Sequence, residues 1–129
     1  MTQPGKKLAD LRILVAEDEA RLADLLVELI ALHGGTVAGP VASAEDASAI
    51  IDGDRVDGAV LDVHLQSGPC FMLAEALMRR RIPVVLITGY ARSDIPQSLV
   101  NLPTFTKPFS VETLVQCLAD CCRRGAGGG

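Results

Sequence analysis

Residues 12–19 read Arg-Ile-Leu-Val-Ala-Glu-Asp-Glu, four apolar residues that break abruptly onto three acids. A run this short, with β-branched content and charge at both ends, predicts a strand rather than a helix. Directly after it, Leu22, Leu25, Leu26, Leu29 and Ile30 recur at helical spacing, and Gly34 and Gly35 supply a stop after His33. Strand, acids, helix is therefore the opening unit. Working outward, Thr36–Val41 (TVAGPV) reads as a second, poorer strand whose end is broken by Gly39 and Pro40. Ser43 is placed to cap a short helix from about Ala44 to Ile51. Gly58–Asp62 (GAVLD) is another apolar run closing on a carboxylate, and a loop of His64, Gln66, Ser67, Gly68 and Pro69 opens a helix from about Cys70 to Arg80. Pro83–Thr88 (PVVLIT) is the strongest strand, and Thr104–Thr106 makes a last short one before Lys107, Pro108 and a Ser110-capped helix with its stripe of Val111, Leu114, Val115 and Leu118. Between Tyr90 and Pro103 the pattern is thin and interrupted by Pro96, so the fourth helix is expected to be short or irregular. Strands apolar throughout, alternating with helices, predict an α/β fold with a parallel five-stranded sheet and helices on both faces.

The 129 residues provide for one domain and one core. With 49% hydrophobic and 22% charged residues a disordered chain is excluded, and no apolar run approaches the length of a membrane span. Twelve Lys and Arg against sixteen Asp and Glu give a net charge of −4, so neither nucleic acid nor a membrane surface is an expected partner, and a cation is the better guess. The N-terminal segment lacks the pattern of a signal peptide, and Cys70, Cys117, Cys121 and Cys122 show no regular framework, which favours reduced thiols in a cytoplasmic protein. The expected organisation is an N-terminal extension over 1–10, the domain over 11–122, and a flexible Gly-rich tail over 123–129.

In an open parallel sheet, ligands bind beyond the carboxyl ends of the strands. Strand ends here offer Glu17 and Asp18, Asp62, Thr88 and Lys107: three acids, a hydroxyl and a lysine at one edge. Three close carboxylates repel one another and require a compensating cation, and their oxygens suit Mg²⁺. A carboxylate beside such a metal can attack a phosphoryl donor, with lysine offsetting the developing charge and a threonine hydroxyl bonding a phosphoryl oxygen. Each residue also has a plainer reading. Glu17 and Asp18 could serve the helix dipole, Thr88 could be a strand terminus, Lys107 a solvated turn residue, and His64 a solvated loop histidine. Cys117 and Cys121, one turn apart, read as helix cysteines before they read as metal ligands.

The segments ILVAEDE, AVLDVHLQSG, VVLITGYA and FTKPF, in this order and spacing, resemble the receiver domain of two-component response regulators over about Leu11 to Cys122. The resemblance implies a flavodoxin-like (βα)5 fold of strand order 2-1-3-4-5. It makes Asp62 the phosphoacceptor, with Glu17, Asp18, Asp62 and the backbone carbonyl of His64 as Mg²⁺ ligands. It makes Thr88 the switch hydroxyl and Lys107 the phosphate-contacting lysine, with a cis peptide bond before Pro108. The partners implied are a histidine kinase or histidine phosphotransfer protein and a downstream protein. The expected role is a stand-alone phosphoacceptor, or a relay intermediate or sink, and not an enzyme on a second substrate. One departure stands out: Thr104 occupies the place where receivers carry a rotating aromatic, and Phe105 should face the other side of its strand. This resembles a single-domain subset with a reduced fourth helix, in which Tyr90 is an alternative switch element. Two alternatives remain: a binding module of this fold that no longer uses phosphate, and a haloacid-dehalogenase-like phosphohydrolase. The latter family needs a second aspartate where His64 stands.

Overall fold

A computed structural model describes residues 6–65, 68–89 and 95–128. Five parallel strands, β1 (Arg12–Ala16), β2 (Thr36–Val41), β3 (Gly58–Asp62), β4 (Val84–Thr88) and β5 (Thr104–Thr106), form one sheet in the order β2-β1-β3-β4-β5. Four α-helices accompany it among the described residues: α1 (Ala20–Leu32), α2 (Ala44–Gly53), α3 (Phe71–Arg79) and α4 (Val111–Gly128). The expected flavodoxin-like winding is therefore present.

The continuous apolar strands are explained by two cores, one on each face of the sheet. Leu14, Ala16, Ala59, Leu61, Val84 and Leu86 face α2 and α3, where Ala47, Ile51, Leu73 and Leu77 meet them. Their neighbours along each strand, Ile13, Val15, Val60, Val85 and Ile87, face Leu26 and Ile30 of α1 and Leu114, Val115 and Leu118 of α4. Alternation along a strand thus feeds both sides.

Local signals set the helix ends. The Ser43 hydroxyl accepts from the Asp46 N–H at 3.1 Å to cap α2, and that of Ser110 accepts from the Thr113 N–H at 3.2 Å to cap α4. Gly34, at φ +88°, and the Gly35 N–H bonded to the Ile30 carbonyl close α1. Where a fourth helix is expected, the described residues contain a single 3₁₀ turn, Gln97–Leu99, anchored by the fully buried Leu99. Tyr90 lies outside the described residues.

β2 spans Thr36–Val41 as expected, and the disturbance at Gly39 and Pro40 takes the form of a register shift against β1, with a cis Gly39–Pro40 bond and Gly39 at φ +102°. Leu8, in the segment expected as an N-terminal extension, is fully buried in the core shared by α1 and α4, and its N–H donates to the His33 carbonyl at 2.9 Å. Burying one leucine is worth about 1.5–3 kcal/mol, enough to draw this segment onto the core. At the other end, α4 extends to Gly128. No helix among the described residues is long and apolar enough to cross a membrane.

Candidate functional site

The carboxyl ends of β1, β3, β4 and β5 converge, since all five strands run parallel. β1 stops at Ala16, and the next two residues, Glu17 and Asp18, turn over the sheet edge; the Glu17 N–H is held by the Val41 carbonyl at 3.0 Å. β3 delivers Asp62, and β4 delivers Thr88, whose carbonyl accepts from the Lys107 N–H at 2.8 Å and so ties the lysine to the same edge. Glu17 and Asp62 are 3% exposed and Thr88 is fully buried. The peptide bond between Lys107 and Pro108 is cis, as the resemblance implies.

Lys107 lies at the centre of the charge pattern. Its Nζ is 3.1 Å from Asp62 Oδ2, 3.5 Å from Glu17 Oε2 and 3.3 Å from Glu19 Oε2. Asp62 Oδ1 accepts from the His64 N–H at 2.9 Å, which fixes the direction of the carboxylate. Glu17 Oε2 also accepts from the Glu19 N–H at 2.9 Å. One oxygen each from Glu17, Asp18 and Asp62 lie within 4.8 Å of one another, and Glu17 Oε1 is buried without a hydrogen-bond partner. An orphaned buried oxygen inside a triad of acids fits a hard divalent cation.

The electrostatics agree with that fit. Burial raises the Glu17 carboxyl from its ordinary 4.5 to about 7; Asp62 pushes it the same way, while the Glu19 N–H and Lys107 oppose. Lys107 is held above its ordinary value: its partial burial acts downward, but the hydrogen bond and charge of Asp62, followed by Glu17 and Glu19, outweigh it. One lysine shared among three acids leaves the pocket short of positive charge.

Glu17, Asp18, Asp62, Thr88 and Lys107 come to this one edge, whereas the Thr104 hydroxyl donates to the Leu102 carbonyl at 3.1 Å. Phe105 does face the opposite side of β5, packed on Phe109 with ring centroids 5.8 Å apart. Two residues were not expected. Glu19 was part of the acidic run but was not among the expected site residues, yet it reaches Lys107. Cys70 carried no local signal, yet its thiol donates to the Asp62 carbonyl at 2.8 Å. Burial first, then the Asp62 charge, pushes this thiol up to about 12. The other cysteines lie elsewhere, on α4, with Cys122 Sγ 3.8 Å from the Asp57 carbonyl.

The family model "Response regulator receiver domain" matches residues 13–119. This chain belongs to the response regulator receiver family. It is 34% identical over 132 residues to the transcriptional regulatory protein TcrA of Mycobacterium tuberculosis, covering 95% of this chain and 51% of TcrA. It is 24% identical to the transcriptional regulatory protein PdtaR of the same organism, covering 83% of this chain and 54% of PdtaR. The chain thus spans about half the length of these curated relatives. Among solved structures, a CheY-like receiver domain protein from Methanospirillum hungatei superposes with a TM-score of 0.80 at 21% identity, covering 92% of this chain and 98% of that one. SdrG from Sphingomonas melonis superposes with a TM-score of 0.69 at 27% identity, covering 89% of this chain and 97% of that one.

Proposed function

We propose that this receiver domain takes a phosphoryl group from a histidine kinase or histidine phosphotransfer protein onto Asp62, in a Mg²⁺-dependent reaction, and signals through a partner protein. The observation that carries this reading is the buried Asp62 carboxylate, with Lys107 Nζ at 3.1 Å and the carboxylates of Glu17 and Asp18 gathered beside it. Glu17, Asp18, Asp62 and the main-chain carbonyl of His64 are the ligands assigned to Mg²⁺. When bound, the ion supplies positive charge against the phosphoryl oxygens.

One Asp62 oxygen attacks phosphorus as the P–N bond of a phosphohistidine breaks, and the departing imidazole takes its proton from solvent. The His64 N–H holds the carboxylate in direction during attack. Lys107, already charged and in place, offsets the added charge of about −1.5 to −2. Thr88, at the adjacent strand end, is the hydroxyl assigned to a phosphoryl oxygen, and its movement carries the change into the residues after β4. Tyr90 and Thr104 are the candidate switch elements beyond it. The domain is proposed to phosphorylate and dephosphorylate itself only, in the cytoplasm, and to act as an independent receiver, relay intermediate or phosphate sink.

The donor is proposed to dock on α1. Leu22, Leu25, Leu29 and Leu32 repeat at three- and four-residue spacing, with Leu25 48% and Leu32 65% exposed. A groove of about 330 Å³ beside them, lined by Glu19, Leu22, Leu25, Lys107, Phe109 and Val111, leads to the site. A helical donor with its own apolar stripe fits this face.

Incubation with acetyl phosphate and Mg²⁺, read by intact mass, tests the reading. One phosphoryl group on the wild type and none on Asp62→Asn is expected. No uptake by the wild type, or equal uptake by Asp62→Asn, would overturn it. Partner binding unchanged by Asp62→Asn and independent of Mg²⁺ would instead indicate a phosphate-independent module.

A further inference from the structure

We propose that Cys117 and Cys121 of α4 form a two-coordinate site for a soft monovalent cation, Cu(I), separate from the phosphoacceptor pocket. The two residues stand four apart in an unbroken helix, so their side chains lie one above the other on one face. That face is the margin of the buried stripe. Leu114 and Leu118 are fully buried, whereas both cysteines are half-buried, Cys117 being packed against the core. An ion arriving from solvent therefore reaches both sulfurs. Cys122 does not join them: its Sγ lies 3.8 Å from the Asp57 carbonyl, and a Cβ added to Gly58 would meet that sulfur at 2.9 Å, so it is held against β3.

Spacing decides what two such thiols can do. Cβ atoms four residues apart on a helix are about 5–6 Å apart, whereas a disulfide needs about 3.5–4.5 Å, so a direct S–S bond would distort α4. Metal–sulfur bonds of about 2.3 Å let two sulfurs share one ion while up to about 4.6 Å apart, which the helix permits. The thiols already feel each other. Burial, then the charge of Cys121 and a hydrogen bond to it, pushes Cys117 up to about 11, and a thiol that keeps its proton resists oxidation. Among the described residues no third His, Cys, Asp or Glu atom joins the pair, which would leave a tetrahedral Zn²⁺ without half its ligands. Cu(I) is a soft ion selected by thiolates, and two of them in line satisfy it. Binding displaces one proton from each thiol, so the complex of one Cu(I) with two thiolates carries one negative charge. Arg124 answers that charge, with Nη2 3.6 Å from Cys121 Sγ. Asp120 opposes it from the same helix but is itself held by Arg123 and Gln116.

The test is an anaerobic titration of the full chain with Cu(I) in competition with the chromophoric chelator bicinchoninate, for wild type, Cys117→Ser, Cys121→Ser and Cys122→Ser. The wild type is expected to withdraw one equivalent. Losing a group that only supports a metal ligand weakens binding about 10–100-fold, so losing one of two ligands should weaken it at least about a hundredfold, with Cys122→Ser within about threefold of wild type. On the wild type alone, Cu(I) should block iodoacetamide labelling of Cys117 and Cys121 in peptide mass maps, a readout that decides the question even if a serine variant fails to fold. No withdrawal of Cu(I), affinity that survives either ligand substitution, or an equal loss in Cys122→Ser would overturn the proposal. So would Zn²⁺ protecting the two thiols as well as Cu(I) does.

Discussion

At Lys107 a single amine answers three carboxylates, at 3.1, 3.5 and 3.3 Å from Asp62, Glu17 and Glu19. Removing it leaves two buried acids without their cation, so Lys107→Ala is expected to lower stability in metal-free buffer by about 1–2 kcal/mol, the buried-pair cost discounted for the partial exposure of the lysine. Urea unfolding with and without Mg²⁺ checks this; most of the loss should return with the ion, and a loss that Mg²⁺ does not touch would contradict the shared-charge account. A second residue is fixed by space alone. A Cβ on Gly39 would meet the Val41 nitrogen at 2.9 Å and the Val15 carbonyl at 3.0 Å, and the residue is at φ +102°. Gly39→Ala should therefore cost about 1–3 kcal/mol, measurable as a shifted urea midpoint. The acid, hydroxyl and lysine of the site were legible in the sequence because strand ends announce themselves by an abrupt change from apolar to polar, as at Ala16–Glu17 and Leu61–Asp62. Glu19 and Cys70 were not, since their contacts join segments distant in the chain or folded back on themselves.

Among the elements, α1 carries two surfaces with opposite duties. Leu26 and Ile30 are fully buried on the sheet, while Leu25 and Leu32 face solvent at 48% and 65%. Leu25→Glu is expected to leave stability within about 0.5 kcal/mol, as exposed substitutions usually do, and to leave acetyl phosphate labelling unchanged. Transfer from a histidine kinase or phosphotransfer protein should fall at least tenfold, because a charge is placed in an apolar interface core. A phosphotransfer time course with both donors separates the two effects; equal loss with both would remove α1 as the docking helix. The segment before β1 makes a complementary point. Leu8→Ala should cost about 2–4 kcal/mol by chemical denaturation, as for any well-buried leucine. Periodicity could not place Leu8 in the core, because its burial depends on the end of α1 coming to rest where the His33 carbonyl receives the Leu8 N–H. It placed β2 as far as Val41 but could not show that Gly39 and Pro40 enter it as a register shift against β1, since pairing register depends on the neighbouring strand.

For the molecule as a whole, the acidic pocket links folding, pH and metal. Glu17 titrates near 7 in the folded chain against an ordinary 4.5, so the folded state binds more protons through that interval and stability falls as pH rises across it. In metal-free buffer the urea midpoint should drop between about pH 4.5 and 7, by an amount equivalent to about 1–3 kcal/mol, and Glu17→Gln should flatten the slope. Mg²⁺ at about 100 times its dissociation constant should add about 2.7 kcal/mol at the higher pH, where the carboxylates are ionised, and less at the lower. A midpoint that rises with pH in metal-free buffer would reject the buried-acid account. The alternation of apolar strands and amphipathic helices was enough to specify a doubly covered parallel sheet, because hydrophobic period is a local property and parallel strands must place their carboxyl ends on one edge. That alone brought Glu17, Asp18, Asp62, Thr88 and Lys107 together. Distances of about 3 Å, one lysine divided among three acids, a thiol on the phosphoacceptor carbonyl and a leucine drawn in from outside the expected boundary came from packing, because each depends on the meeting of residues that no local pattern relates.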